Sequence, residues 1–245
     1  MLLLTIRERR IEVEIRAYEE SHPEENLTIA DENGNEHLPK AVKRSLGFLL
    51  ISISLWFIGY NAVTTWFTKY AETKWDMTLG DASLCLTVAT VGAIISYIPI
   101  GGLSSRIGRK KTILIGVAVL ASCFAAGWVY TLTIGAFSPI LFALFMLIGF
   151  AWAAINVNSL PMVVEMCKGS EVGKFTGYYY TFSMAAQTVT PITAGWLLSH
   201  VSYEILFPYA ALFVAASFVT MLFVRHGDSV APTRKSLLEN FDTED

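Results

Sequence analysis

Four amide side chains and one tryptophan stand within otherwise apolar stretches of the sequence, and together they have the chemistry needed to bind a small polar solute. Amides are costly in hydrocarbon unless they face protein or water. Aromatic faces can stack on a solute ring while amides bond its hydroxyl groups. We therefore predict solute contacts at Trp56, Asn61, Asn156, Asn158 and Gln187. The alternative for each amide is a hydrogen bond between packed helices.

A second group combines glycines with closely spaced cations, and we call residues 101–112 the basic segment. Its glycines permit a tight turn between helices, and its cations can bond the exposed carbonyl groups at a helix end. The segment includes Gly101, Leu103, Arg106, Gly108, Arg109 and Lys110. Glu165 is predicted to pair with Arg106 or Arg109. The alternative is a basic loop that only marks one side of a membrane.

Long apolar runs must position both groups. Only 16% of the 245 residues are charged, whereas soluble domains have about a quarter. A membrane helix needs about 20 apolar residues, and a lipid-exposed open sheet would leave backbone groups unpaired. The composition therefore predicts an all-α membrane protein with six transmembrane helices. The predicted spans are 45–68, 83–103, 112–130, 138–164, 175–199 and 204–224.

The cations between these runs predict the orientation. Twelve lysines and arginines fall on the side that carries the basic segment, and only Lys69 and Lys74 fall on the other. Positively charged loops stay in the cytoplasm, so both termini are predicted to be cytoplasmic, in a multi-pass protein of the cell membrane. The predicted parts are a cytoplasmic linker (1–43), a transmembrane unit (44–225) and a cytoplasmic tail (226–245).

The basic segment resembles the signature loop of the major facilitator superfamily, Gly-x-Leu-x-Asp-Arg-x-Gly-Arg-Lys, with Ser105 in place of the aspartate. The resemblance implies half of a twelve-helix transporter, built as two inverted three-helix repeats. It also implies that the matching residues form a cytoplasmic gating loop together with Glu165, namely Gly101, Leu103, Arg106, Gly108, Arg109 and Lys110. The charged segments before and after the spans look like those of a C-terminal half. Residues 156–161 and 165–178 are similar to the sucrose/proton symporters and their glycoside relatives. That similarity implies symport of a sugar or glycoside with a cation, such as a proton.

The resemblance also implies partners: the lipid bilayer, a small-molecule solute, and either a separate or missing N-terminal half or a second copy of this chain. No acidic or basic side chain lies deep in a predicted span, so a coupling carboxylate is expected in the other half. An inactive fragment of a longer transporter and an exporter of hydrophobic compounds remain alternatives. No catalytic constellation, cofactor motif, metal spacing or nucleic-acid-binding stripe is evident, so an enzyme is not expected.

Overall fold

The computed structural model describes residues 29–30, 36–167 and 171–228. A two-residue antiparallel ladder, β1 (Ile29–Ala30) with β2 (Glu36–His37), precedes the helices. Six helices follow: α1 (Lys40–Trp75), α2 (Leu79–Ile107), α3 (Arg109–Thr133), α4 (Ile140–Val164), α5 (Val172–His200) and α6 (Leu206–Leu222), the last entered through a 3-10 turn at Tyr203–Ile205. Most of the predicted linker and the tail beyond Asp228 lie outside the described residues.

The helices coincide with the six predicted apolar runs, but most extend beyond them. The 36 residues of α1 are about 54 Å long, against a hydrocarbon core of about 30 Å. Helices α1 to α4 and the segment Tyr203–Leu222 are long and apolar enough to cross a membrane. These five candidate spans are confirmed in the described part of the chain. Helix α5 is long enough but more polar, so its crossing stays a prediction.

The turn between α2 and α3 consists of a single residue. Helix α2 continues to Ile107 and α3 begins at Arg109, so Gly108 alone makes the connection. Its φ of +94° lies in a region that favours glycine. Gly101 and Gly102 were expected to contribute to the turn. The structure corrects this expectation, because both lie within α2, where an added Cβ would meet open space.

Two helix pairs pack through stripes of small side chains. The buried face of α2 that packs on α4 consists mainly of alanine, glycine and serine, including Ala82, Ala89, Gly92, Ala93 and Ser96. The buried face of α5, which packs on α1, includes Ser183, Ala186, Thr190 and Ala194. Small side chains allow backbones to approach closely, which is how helices gain contact energy in lipid.

The remaining contacts complete the bundle. Helix α6 packs on α1, α3 packs on α4, and α3 and α6 pack on each other. A cluster of aromatic rings joins these contacts. The ring centroid of Phe207 in α6 lies within 6.4 Å of the ring centroids of Phe67, Tyr70 and Trp75. The Tyr70 hydroxyl also bonds Thr131, which ties α1 to α3.

The two ends of the bundle differ in charge. One end, which we call the basic end, carries Gly108, the start of α1 and the end of α6. The first residues of the predicted tail pack there, because His226 Nδ1 lies 2.8 Å from Ser45 Oγ. At the opposite end, Lys74 forms an ion pair of 2.6 Å with Glu204.

The closest backbone approach gives a stability prediction. A Cβ on Gly149 of α4 would overlap the Ala89 carbonyl oxygen of α2, whereas a Cβ on Gly47 would meet nothing within 4 Å. We expect Gly149→Ala to destabilise the bundle by about 1–3 kcal/mol through overpacking. Gly47→Ala is the matched control and should be neutral or slightly stabilising. Thermal unfolding of both purified variants in detergent measures the difference, and equal melting temperatures would contradict the packing described.

Candidate functional site

A small cavity of about 120 Å³ lies among the first four helices. Its walls are mostly hydrocarbon and aromatic, and three of the lining side chains carry a hydroxyl group. The lining residues are Tyr60, Val63, Thr64, Leu86, Ala89, Thr90, Phe124, Phe145 and Ile148. Phe124 and Phe145 are fully buried behind it, while Thr90 is exposed, so the cavity opens beside Thr90.

Aromatic stacking fixes one wall of this cavity. The Tyr60 ring stacks on Trp152 of α4 with a centroid distance of 3.7 Å and an interplanar angle of 4°. Phe57 meets the same indole edge-on at 5.2 Å. These contacts hold Tyr60, which is half-buried, in one orientation at the rim, and its hydroxyl is one of the polar groups at the cavity.

None of the five predicted solute contacts lines this cavity, and two of them are engaged within the protein. Trp56 is fully buried, and its indole N–H has no hydrogen-bond partner among the described residues. The amide of Asn61 donates to the Phe57 carbonyl one turn earlier, at 2.8 Å. The Asn61 amide therefore donates to a carbonyl of its own helix, and Trp56 contributes to the core of the bundle.

The other three predicted contacts separate into one buried and two accessible amides. Asn158 is 2% exposed, accepts a hydrogen bond from Ser104 of α2, and donates to the Ala154 carbonyl at 2.8 Å. Asn156 is half-buried and Gln187 is exposed. Pro191 lacks the N–H that would bond the Gln187 carbonyl in a regular helix. The side chain and the carbonyl of Gln187 thus add polar groups to α5.

A second cavity of about 200 Å³ lies at the basic end, lined by Gly101, Ser104, Ser105, Arg109, Val157, Asn158 and Pro161. Arg109 forms an ion pair with Glu165, one of the two pairings considered from the sequence, and Arg106 is exposed. This ion pair links the start of α3 to the end of α4. Leu103 is 38% exposed near the end of α2, while Lys110 reaches carbonyls at the end of α6.

Sequence reasoning missed the hydroxyl groups at the apolar cavity. Thr64 and Thr90 each bond a carbonyl of their own helix, at 3.4 and 3.0 Å, as threonines in apolar helices commonly do. The available signal was the pair Thr87 and Thr90 within an apolar run, but threonine is ordinary in membrane helices. Among the described residues, no group of three His, Cys, Asp or Glu side chains could hold a metal ion.

Long apolar helices that pack through small residues are typical of a multi-pass membrane protein. A family model described as Major Facilitator Superfamily matches residues 45–241, well over half of the chain. The chain belongs to this family, whose members are transporters.

A solved structure supports the same fold. The chain is similar to the human organic anion transporter MFSD10 (TETRAN), with a TM-score of 0.62 and 12% sequence identity. The match covers 78% of this chain and 49% of MFSD10. The chain therefore spans about half the length of that transporter.

The hydrogen bonds of Asn158 lead to a prediction that separates structural amides from solute-binding ones. Asn158→Ala leaves the buried Ser104 hydroxyl without this acceptor and should cost about 1–3 kcal/mol of stability. Asn156→Ala is the matched control, because its side chain is only half-buried. Melting temperatures in detergent should fall for the first variant and stay unchanged for the second. A larger loss at Asn156 would reverse the assignment.

Proposed function

We propose that this chain is the C-terminal half of a secondary active transporter, which moves a small solute together with a second six-helix half. The first candidate solute is a sugar or glycoside, carried in symport with a cation such as a proton. Membership of the family supports transport in general. The choice of solute rests on the similarity of residues 156–161 and 165–178 to sucrose and glycoside transporters, and on the accessible amides.

The polar groups on the exposed surface of α5 are the observation that carries the proposal, because α5 is the one long helix of the described chain that is too polar to count as a candidate span. Its exposed residues include Thr181, Gln187, Thr188 and Thr193, while its buried stripe faces α1. Polar groups at this depth are costly against lipid and stay next to protein or water. The exposed surface of α5 mixes these polar groups with apolar side chains such as Met184 and Ile192, which favours a position beside a solute pathway over one in the lipid-facing ring.

The packing pattern supports two inverted three-helix repeats. If α1, α2 and α3 correspond to α4, α5 and α6, the contact of α2 with α4 corresponds to that of α5 with α1. The contact of α1 with α6 corresponds to that of α4 with α3, and the contact of α3 with α6 corresponds to itself. Transporters built in this way bind solute near the midplane, where the repeats meet. Helix α5 then crosses the membrane as α2 does.

A second half is needed for three reasons. The chain spans about half of the related transporter. Only 28% of the most apolar window of α2 is buried, against 56% for α1, so α2 presents a wide surface to a partner or to lipid. No ionisable side chain lies deep in a helix, so a cation-coupling carboxylate has to come from elsewhere. The cation-rich basic end supports a cytoplasmic position for both termini, because positively charged loops stay in the cytoplasm.

Uptake into proteoliposomes tests the proposal. We expect labelled disaccharide to accumulate when this chain is combined with a six-helix N-terminal half encoded immediately upstream, and a pH gradient should increase the rate several-fold. The chain alone should give no uptake, because the pathway and the coupling group are incomplete. Uptake by the chain alone would instead establish a homodimer. An assembled pair that moves no disaccharide, with or without the gradient, would contradict sugar symport.

A second candidate is transport of hydrophobic compounds, and the composition of the 120 Å³ cavity favours it. A sugar ring requires many hydrogen bonds, whereas this cavity offers hydrocarbon, two phenylalanine rings and three hydroxyl groups. The volume approaches that of apolar cavities of about 150 Å³ that bind benzene. An aryl glycoside combines both candidates, because its ring suits this cavity and its sugar requires hydrogen-bonding groups outside it.

Two threonines on α2 provide a matched test of the cavity. Thr90 borders the cavity and Thr87 does not, yet both are exposed and both bond a carbonyl four residues earlier. We expect Thr90→Phe to block the mouth of the cavity. It should raise the inhibitory constant of a nitrophenyl glucoside about tenfold while leaving that of methyl glucoside unchanged. Thr87→Phe should change neither value. Equal effects of both variants in competition assays would remove the cavity from the solute pathway.

A further inference from the structure

The four residues Arg225 to Asp228, which follow α6 after Phe223 and Val224, lie against the ends of other helices, and we call them the clasp. The backbone N–H of Arg225 donates to Ser45 Oγ at 3.2 Å, and the His226 ring bonds the same hydroxyl. Ser45 is buried near the start of α1. The chain leaving α6 is therefore held against α1 before it reaches α3.

Asp228 completes the clasp at the start of α3. Its Oδ1 accepts the backbone N–H of Lys110 at 2.9 Å. Lys110 is the second residue of α3, so its N–H has no acceptor within the helix. A carboxylate at a helix N-terminus is favourable both as an acceptor and as a negative charge.

The side chain of the same lysine, Lys110, bonds carbonyl groups at and just after the end of α6. Lys110 Nζ donates to the Leu222 carbonyl at 3.2 Å and to the Val224 carbonyl. These carbonyls lie at the end of α6, where acceptors lack helical donors. The start of α3 and the end of α6 thus cap each other: Asp228 satisfies an N–H of α3, and Lys110 satisfies carbonyls of α6.

The surroundings explain why a carboxylate is needed at this place. The basic segment carries four cations within six residues, Arg106, Arg109, Lys110 and Lys111, and has Ser105 where its signature has an aspartate. The Ser105 hydroxyl bonds the Gly102 carbonyl of its own helix. In the described part of the chain, Glu165 contacts Arg109 and Asp228 contacts Lys110. Gly108 leaves room for this, because a Cβ there would lie 3.0 Å from Asp228 Oδ1.

We propose that Asp228 is a positioning residue of the basic segment, supplying from beyond α6 the carboxylate that Ser105 does not provide. It fixes the start of α3 relative to α6 and so sets the position of the Gly108 turn. The consequence for transport rests on the proposed function, since the basic end is where two rocking halves would close. The structural claim needs neither a solute nor a second half.

Hydrogen exchange of the full chain in lipid nanodiscs tests the claim. Asp228→Asn keeps the size of the side chain but removes its charge. It should speed exchange in peptides covering residues 106–112 about tenfold, as expected for loss of a charge-assisted hydrogen bond. Lys110→Gln keeps the backbone N–H at position 110 that Asp228 accepts, but removes the ammonium group that bonds the carbonyls of Leu222 and Val224. It should therefore speed exchange at residues 222–226 instead. Peptides from α5 should be unchanged in both variants.

The matched control is Asp81→Asn, which removes a carboxylate from the first turn of α2 at the opposite end. It should leave exchange at residues 106–112 as it is in the unmodified chain. Unchanged exchange in Asp228→Asn would overturn the proposal. A uniform increase over all helices would also overturn it, because Asp228 would then contribute only to general stability. Neither result would affect the uptake experiments, and failed uptake would not affect this one.

Discussion

In hydrocarbon, two helices gain little by burying apolar side chains against each other, because the surrounding lipid tails are equally apolar. Contact must come from close backbone approach and from hydrogen bonds. The small-residue faces of α2 and α5 meet this constraint against α4 and α1. The Ser104–Asn158 hydrogen bond adds a polar contact to the first of these pairs. Both cavities lie beside the contact between α2 and α4. Ala89 of α2 lines the first cavity, and Ser104 and Asn158 line the second.

Hydropathy located all six helices but not their ends. It detects the part of a helix that sits in lipid, whereas a helix ends where capping and turn geometry stop it. Helix α1 begins at Lys40 after Pro39 and ends at Trp75, because the next residue, Asp76, takes a positive φ. The basic segment shows the same limit from the other side. A hydrophilic loop was expected there, yet the charged residues continue both helices and leave only Gly108 between them.

The candidate site was less predictable than the fold. An amide within a membrane helix is satisfied equally well by a solute or by a neighbouring helix, and sequence does not distinguish the two. Asn158 and Asn61 bond protein groups, whereas Gln187 stays exposed. The apolar cavity draws on four helices, so no local pattern announces it. The ion pair of Glu165 was foreseeable because few acidic residues stand near the basic segment.

The one-residue connection between α2 and α3 also affects how the chain enters the membrane during synthesis. With only Gly108 between them, the two helices offer no loop that the insertion machinery can hold on one side while the other helix waits. They must insert together as a hairpin, with the cations beside the turn held back from crossing. The tightness of this corner therefore joins α2 and α3 before α4, the helix on which both of them pack, has been synthesised.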